Sequence, residues 1–228
     1  MSKLLEIHSA SIDVSRENQL SSPVCTTLAF CKNGDRFTHV MAIDEKSSAS
    51  LKRSTFLQSI TTDAQLAWPS DPPLQQVVLE PLGPDLQHVA LGVGLSGHGH
   101  WSLAARCLDD NHSLELDFAC RISRPAVFLG STYRILDANS ADNCLTDAPP
   151  NTNLNGISNI YWHEAHIDGN SWTGTWTQPE KAPLNIQLEV TLGKLLWSPE
   201  LRQLQILPLG SLDNPATLRW CYRFRQLP

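Results

Sequence analysis

The 228-residue sequence lacks any long apolar run, and no stretch approaches the roughly 18 residues needed to cross a bilayer. Its first residues, MSKLLEIHSASIDVSREN, hold only a leucine pair, whereas a secretory signal needs an apolar stretch of about 7–15 residues. Positive charge is also scarce, because 17 Lys and Arg residues face 23 Asp and Glu residues and leave a net charge of −6. Nucleic acids and anionic membranes attract basic surfaces, so the composition predicts neither as a partner.

No CxxC motif occurs, so the cysteines lack the spacing of a zinc site or a redox pair. In a reducing compartment, scattered cysteines are usually buried thiols that act as small apolar side chains. Together with the missing signal, this predicts a cytoplasmic protein with no disulfide. All six cysteines are expected to be thiols: Cys25, Cys31, Cys107, Cys120, Cys144 and Cys221.

Short alternating apolar runs such as VCTTLAF, HVALGVGL and SLELDFACRI dominate the chain, and turn sequences such as KNGD and SLDNPA separate them. Many short strands with few helical stripes are typical of antiparallel barrels and sandwiches. We therefore predict one all-β domain over residues 1–228. It should contain about ten to twelve antiparallel strands, closed into a barrel or packed as two sheets.

Two segments interrupt the strand pattern. Residues 45–66, EKSSASLKRSTFLQSITTDAQL, are the place where the fold would hold one short helix. Residues 136–158 are rich in Asn, Asp and Pro and poor in apolar side chains, which predicts a long loop that serves as a flap or lid.

The run YWHEAHIDGNSWTGTW, residues 161–176, predicts a hairpin, because Asp168-Gly169 is a preferred pair for a two-residue type I′ turn. In that register His163 and His166 face opposite sides of the sheet and share no metal, while Trp162 lies on the face of His166. HEAH is also one residue short of the zinc-protease motif HExxH. The opposite face is core, a pocket wall or a partner surface, and it carries Tyr161, His163, Ile167, Trp172 and Trp176.

Residues 88–122 admit two interpretations. Gly92, Gly94 and Gly97 fit the pattern GxGxxG after an apolar strand, and Asp117 lies where a ribose-binding acid is expected. Over about thirty residues the chain thus resembles the Rossmann family, which implies a nicotinamide-dependent enzyme.

The competing interpretation is a hairpin with DDNH as its loop, in which Arg106 pairs with Glu115 and Trp101 with Cys120. This register separates an apolar face from a charged face, as a half-buried antiparallel sheet requires. The run SLELDFACR alternates apolar and charged residues, whereas a central parallel strand is apolar on both faces. The hairpin is therefore favoured.

His98 and His100 form an HxH pair, which on a strand puts both imidazoles on one face. The pair resembles the metal motif of cupins, although WSLA stands where the cupin glutamate is expected. It makes His98 and His100 candidate metal ligands. The run GLSGH also approaches the nucleophile elbow GxSxG around Ser96, but His98 replaces the final glycine.

The last run, TLRWCYRFRQL, alternates aromatic residues with Arg219, Arg223 and Arg225. Three guanidiniums on one strand face repel each other unless carboxylates or an anionic ligand neutralise them. Cross-strand pairing with Glu115, Asp117 or Glu189 is one explanation. An anion site or an acidic partner is the other.

These features favour a protein without a cofactor that binds a small ligand, anionic in the leading case, or a peptide. Two alternatives stay open. One is an enzyme that depends on a metal at His98 and His100 or on a nicotinamide at residues 92–97, and the other is a structural protein whose aromatics join copies of the chain. The candidate ligand-binding residues are Tyr161, His163, Trp172, Trp176, Arg219, Arg223 and Arg225.

Overall fold

The computed structural model describes residues 9–15, 24–46, 51–60, 66–82, 87–108, 113–136, 161–177 and 183–227. Within these ranges, the side chains of residues 9–15, 24–25, 44–46, 51–53, 87, 161 and 163–164 are not part of the description. Every strand in the described ranges pairs antiparallel, in one hydrogen-bonded sheet of fifteen strands. They are β1 (Ser9–Ser15), β2 (Val24–Asn33), β3 (Arg36–Lys46), β4 (Leu51–Ser59), β5 (Leu74–Leu82), β6 (Gln87–Ser96), β7 (Gly99–Cys107), β8 (Ser113–Ile122), β9 (Ser131–Ile135), β10 (Tyr161–Asp168), β11 (Ser171–Thr177), β12 (Leu184–Leu192), β13 (Lys194–Ser198), β14 (Gln203–Leu207) and β15 (Ala216–Leu227).

The all-β prediction is confirmed, but the predicted number of strands is too low, because β1, β4 and β13 were not foreseen. The helix predicted within residues 45–66 is wrong over β4. A bulge there makes Phe56 an extra residue, since Leu57 pairs with Met41 and Thr55 with Ala42. Phe56 and Leu57 are both fully buried, which breaks the alternation by which a strand is recognised. The predicted loop lies outside the described residues beyond Leu136.

No helix occurs in the described ranges, and so none there is long and apolar enough to cross a membrane.

The sheet curls until its two halves face each other, so that it is nearly closed into a barrel. One half runs β5-β6-β7-β8-β15-β12-β11-β10 and the other β1-β2-β3-β4-β9-β14-β13, joined where Phe37 pairs with Leu74. Contacts across the interior show that the halves pack together. The rings of His39 on β3 and Phe118 on β8 lie 6.1 Å apart, although three strands lie between β3 and β8 in the sheet order.

Asn170 connects the β10–β11 turn to the end of β12 and the start of β13. It lies in the turn between β10 and β11, and its side-chain amide donates to the Gly193 carbonyl at 3.1 Å. Its side-chain oxygen accepts from the Leu195 N–H at 3.2 Å, and its main-chain oxygen accepts from the Val190 N–H at 2.9 Å. The side-chain amide thus makes hydrogen bonds to the main chain, as a neighbouring strand would, and holds β13 next to the β10–β11 hairpin.

The hairpin interpretation of residues 88–122 is confirmed. Arg106 pairs with Glu115 and Trp101 with Cys120, as expected. The Rossmann interpretation is wrong, because Gly92 lies inside β6 and a strand, β7, follows where a phosphate-binding helix would begin.

The glycines of β6 serve close packing instead. A Cβ on Gly94 would lie 1.9 Å from the Pro73 carbonyl oxygen, whereas one on Gly92 would meet only Leu74 and Leu103 side-chain atoms, at 3.1–3.2 Å. Gly94 therefore lets the chain before β5 cross directly over β6.

Gly94→Ala should lower the free energy of unfolding by about 1–3 kcal/mol, because the backbone at Pro73 must move to admit a methyl group. Gly92→Ala is the matched control, since the ends of the Leu74 side chain can yield. Urea unfolding of the two variants checks this. Equal losses would mean that the Pro73 carbonyl does not limit the packing of β6.

Candidate functional site

The β10–β11 hairpin forms, but its predicted register is wrong. The turn residues are Gly169 and Asn170 rather than Asp168 and Gly169, so Asp168 pairs with Ser171. Gly169 has φ 58° and is the only turn residue with positive φ, which is the requirement of a type II′ turn rather than of type I′. Contacts of the Asn170 side chain with the chain around β13 favour this register.

A bulge between His163 and His166 shifts the faces of β10 further. Trp162 pairs with Trp176 and its ring lies 5.5 Å from that of Trp172, so its predicted position on the face opposite these two tryptophans is wrong. His166 is exposed. The side chains of Tyr161 and His163 lie outside the described residues.

Trp172 and Trp176 belong to the hydrophobic core, with 0% and 2% of their surface exposed. Trp172 also contacts Trp197 across the closure of the barrel, at a centroid distance of 6.2 Å. The structure therefore places these two candidates with the packed interior.

Arg219, Arg223 and Arg225 lie on the outer face of β15, whereas Trp220 and Tyr222 between them are fully buried. The sheet thus separates the candidate arginines from the candidate tryptophans. One pocket cannot combine the two sets, and each has to be considered by itself.

The arginines pair with the three carboxylates named from the sequence. Arg219 contacts Asp117 through Nε and Nη2. Arg225 Nη2 donates to Glu189 Oε2 at 2.5 Å.

Glu115 is bound between two arginines. Arg106 Nη2 donates to Oε1 at 2.8 Å, and Arg223 Nε donates to Oε2 at 3.0 Å. Burial alone would raise the pKa of Glu115, but the hydrogen bonds and charges of Arg106 and Arg223 outweigh it and hold that pKa below its usual value. A fixed row of alternating charges therefore crosses the outside of β7, β8 and β15.

This outer surface is more basic than the chain as a whole. Strands β7, β8, β12 and β15 carry five arginines but only three carboxylates, in a chain whose net charge is −6. The side chain of Arg219 stays 60% exposed and that of Arg106 51%, so both keep donors towards solvent. We call the set the arginine face: Arg106, Arg121, Arg219, Arg223 and Arg225.

An exposed aliphatic stripe borders the arginine face. Leu91, Val93 and Leu95 on β6 are 41%, 52% and 47% exposed, while the alternating residues Ala90 and Gly92 are buried. Large apolar side chains exposed together often mark a contact with a partner. Alternate residues of a strand share a face, but the sequence of β6 does not show which face is outside.

The candidate metal ligands His98 and His100 lie in and after the β6–β7 turn, and both are exposed. His100 pairs in register with Arg121, a cation. Throughout the part of the chain that the structure describes, no group of three or more His, Cys, Asp and Glu residues could hold a metal ion. The Ser96 hydroxyl is buried and donates to the Leu66 carbonyl at 2.7 Å.

A buried polar chain inside the barrel escaped sequence analysis. His39 Nε2 and Tyr133 Oη are hydrogen-bonded at 2.5 Å, and so are Tyr133 Oη and Tyr222 Oη. Trp220 Nε1 donates to Ser131 Oγ at 3.0 Å. These five side chains are fully buried and join β3, β9 and β15.

Asp71 ends this chain near His39. Its Oδ2 lies 3.6 Å from His39 Nδ1, and both side chains are almost fully buried. Burial raises the pKa of Asp71 well above its usual value and lowers that of His39 to about 3, so a neutral pair is favoured. Ser59 connects the two, since it bonds to Asp71 and its Oγ accepts from the His39 N–H at 3.0 Å.

These hydrogen-bonded side chains are of the residue types found in acid–base sites, but their burial argues for another role. A general base must come within hydrogen-bond reach of a substrate atom. His39 and Tyr133 have no exposed surface, and Asp71 has 5%. These hydrogen bonds instead join strands that face each other across the core.

No family model matches the sequence, and a search of curated proteins found no match either.

Proposed function

We propose that the protein is a binding module whose arginine face takes an anionic ligand or peptide. The observation that carries the proposal is an excess of arginine over carboxylate on β7, β8, β12 and β15 of an acidic chain. Complementary charge steers a partner towards such a surface and rejects partners of like charge. Three of the candidate residues predicted from the sequence, Arg219, Arg223 and Arg225, belong to it.

The alternatives have less support. A nicotinamide-dependent enzyme would need a phosphate-binding turn at residues 92–97, where the structure has the β6–β7 hairpin. A metal-dependent enzyme would have only two exposed histidines, His98 and His100, as candidate ligands. The structural protein was predicted to join copies of the chain through its aromatics, but Trp172 and Trp176 are buried in the core, which leaves the aliphatic stripe as the apolar surface for such a contact.

The same proposal includes a cytoplasmic location. The four cysteines whose side chains are described are free thiols, and burial raises the pKa of Cys120 to about 12. Such a thiol ionises little at neutral pH and is correspondingly unreactive.

Fluorescence anisotropy of a labelled hexaglutamate peptide tests the arginine face. The double variant Arg121→Gln/Arg219→Gln should bind it about tenfold more weakly, because each guanidinium contributes a modest, salt-screened attraction. The control is Arg124→Gln/Arg134→Gln, which removes two exposed arginines outside the face. Equal affinities of the two double variants, or no binding by the unchanged protein at low salt, would contradict the proposal.

A further inference from the structure

We infer that the ligand is an extended polypeptide segment in which acidic and apolar side chains alternate. This inference rests on the proposed function, because it assigns the chemistry of what the arginine face binds. It comes from the surface between the aliphatic stripe and Arg219, which we call the trough.

The floor of the trough is made of small side chains. In register across the sheet, Val93 of β6 pairs with Ser102 of β7, Ser102 with Ala119 of β8, and Ala119 with Arg219 of β15. Side chains at these register positions share a face of the sheet, so only serine and alanine stand between the valine and the arginine. The adjacent row runs from Leu91 through Ala104 and Asp117 to Cys221.

The two walls differ in chemistry. Leu91, Val93 and Leu95 form an apolar wall along β6, and Arg219 on β15 forms the opposite wall. Asp117 also lies on this surface, and Arg219 binds both of its oxygens. The two charges compensate each other, so Arg219 offers a ligand its remaining N–H donors.

Both ends of the trough are basic. Arg106 and Arg223 enclose Glu115 at one end, and Arg121 lies beside His100 at the other. A ligand in the trough therefore meets guanidinium groups at either end and along one side.

The dimensions suit an extended chain that runs parallel to the strands. Three strand spacings separate β6 from β15, which amounts to about 14 Å between backbones. From Glu115 to Arg121 the trough is about 20 Å long, the length of roughly six extended residues. Successive side chains of an extended chain point in opposite directions, so one set meets the aliphatic wall while the other meets Arg219.

A small inorganic anion would engage the arginines and leave the aliphatic wall in water. A polypeptide that alternates the two chemistries removes that apolar surface from water and also supplies carboxylates to the guanidiniums. Charge complementarity and apolar exposure on the same surface thus point to one kind of occupant.

Two labelled peptides of equal charge separate these possibilities: an alternating Leu-Glu octamer and an alternating Ser-Glu octamer, each used at sub-micromolar concentration with the whole protein. The Leu-Glu peptide should bind at least about tenfold more tightly, because only its leucines bury the aliphatic wall. Val93→Ser should abolish most of that preference. Val127→Ser is the matched control, since Val127 is 87% exposed elsewhere on the surface.

Equal affinities for the two peptides would overturn the inference, and the arginine face would survive if Arg121→Gln/Arg219→Gln still weakened both. Failure of both peptides to bind would overturn the inference and the proposed function together. Sedimentation that shows self-association of the unchanged protein, lost in Val93→Ser, would assign the stripe to an interface between copies and also overturn the inference.

Discussion

Asp71→Asn should make the protein more acid-sensitive below pH 6.5, because it removes the buried carboxyl group whose titration opposes that of His39. The reason is that the two buried groups shift in opposite directions. Each alone makes the free energy of unfolding depend on pH, and together they compensate each other.

By itself, the shifted pKa of His39 would make the protein less stable as the pH falls. Its pKa drops from 6.5 when unfolded to about 3 when folded, so below pH 6.5 the unfolded chain binds a proton that the folded chain does not. The free energy of unfolding then decreases by about 1.4 kcal/mol for each pH unit of acidification.

Asp71 alone would have the opposite effect. Burial raises its pKa well above 3.8, so above pH 3.8 the folded chain keeps a proton that the unfolded chain has lost. Stability then falls as the pH rises. Between pH 3.8 and 6.5 the unfolded pair carries its single proton on His39. As long as the pH is below the raised pKa of Asp71, the folded pair carries one proton there, so the two slopes oppose each other. Tyr133 and Tyr222 stay protonated throughout, because burial raises both of their pKa values.

Asparagine keeps the shape of Asp71 but binds no proton, so the slope of His39 is exposed. Urea unfolding at pH 6.5 and pH 4.5 should show that Asp71→Asn loses about 2–3 kcal/mol on acidification, a larger loss than that of the unchanged protein. Asp213→Asn, which changes an exposed carboxylate, should follow the unchanged protein. His39→Gln should show the reverse trend and lose stability from pH 4.5 to 6.5. An Asp71→Asn variant with the pH dependence of the unchanged protein would refute the compensation.

Local alternation accounts for the part of the structure that the sequence predicted. The β7–β8 register follows from apolar and charged residues that alternate on both strands, and this alternation placed Arg106 opposite Glu115. The carboxylates for the C-terminal arginines were named on the same basis. A face of a strand can be recognised from a few neighbouring residues.

The features that the sequence did not predict depend on contacts between residues that are far apart in the sequence. His39 and Tyr133 are 94 positions apart in sequence, and Tyr133 and Tyr222 are 89 apart, so no local pattern shows that they meet. The trough likewise needs β15 to lie beside β8, which only the strand order reveals.

The prediction of the β10–β11 turn residues was wrong for a related reason. Asp168-Gly169 and Gly169-Asn170 are both acceptable turn pairs by local rules. The observed register lets Asn170 bind Gly193 and Leu195, residues that follow it by more than twenty positions. A tertiary contact therefore decided between two local solutions.

Trp176→Ala should lower the free energy of unfolding by about 3–5 kcal/mol, as removal of a buried tryptophan typically does. Trp176 is 2% exposed and lies in the hydrophobic core, opposite Trp162 on β10 and Leu184 on β12. Thr175→Ala is the control on the same strand. Thr175 is half-buried and hydrogen-bonded to Asn185, so its loss should cost about 1 kcal/mol. Urea unfolding of both variants distinguishes a core residue from a pocket residue, because truncating the wall of an open pocket leaves little new cavity. If Trp176→Ala costs no more stability than Thr175→Ala, Trp176 lines an open pocket, and this face of the hairpin rather than the arginine face is the better candidate for the ligand site.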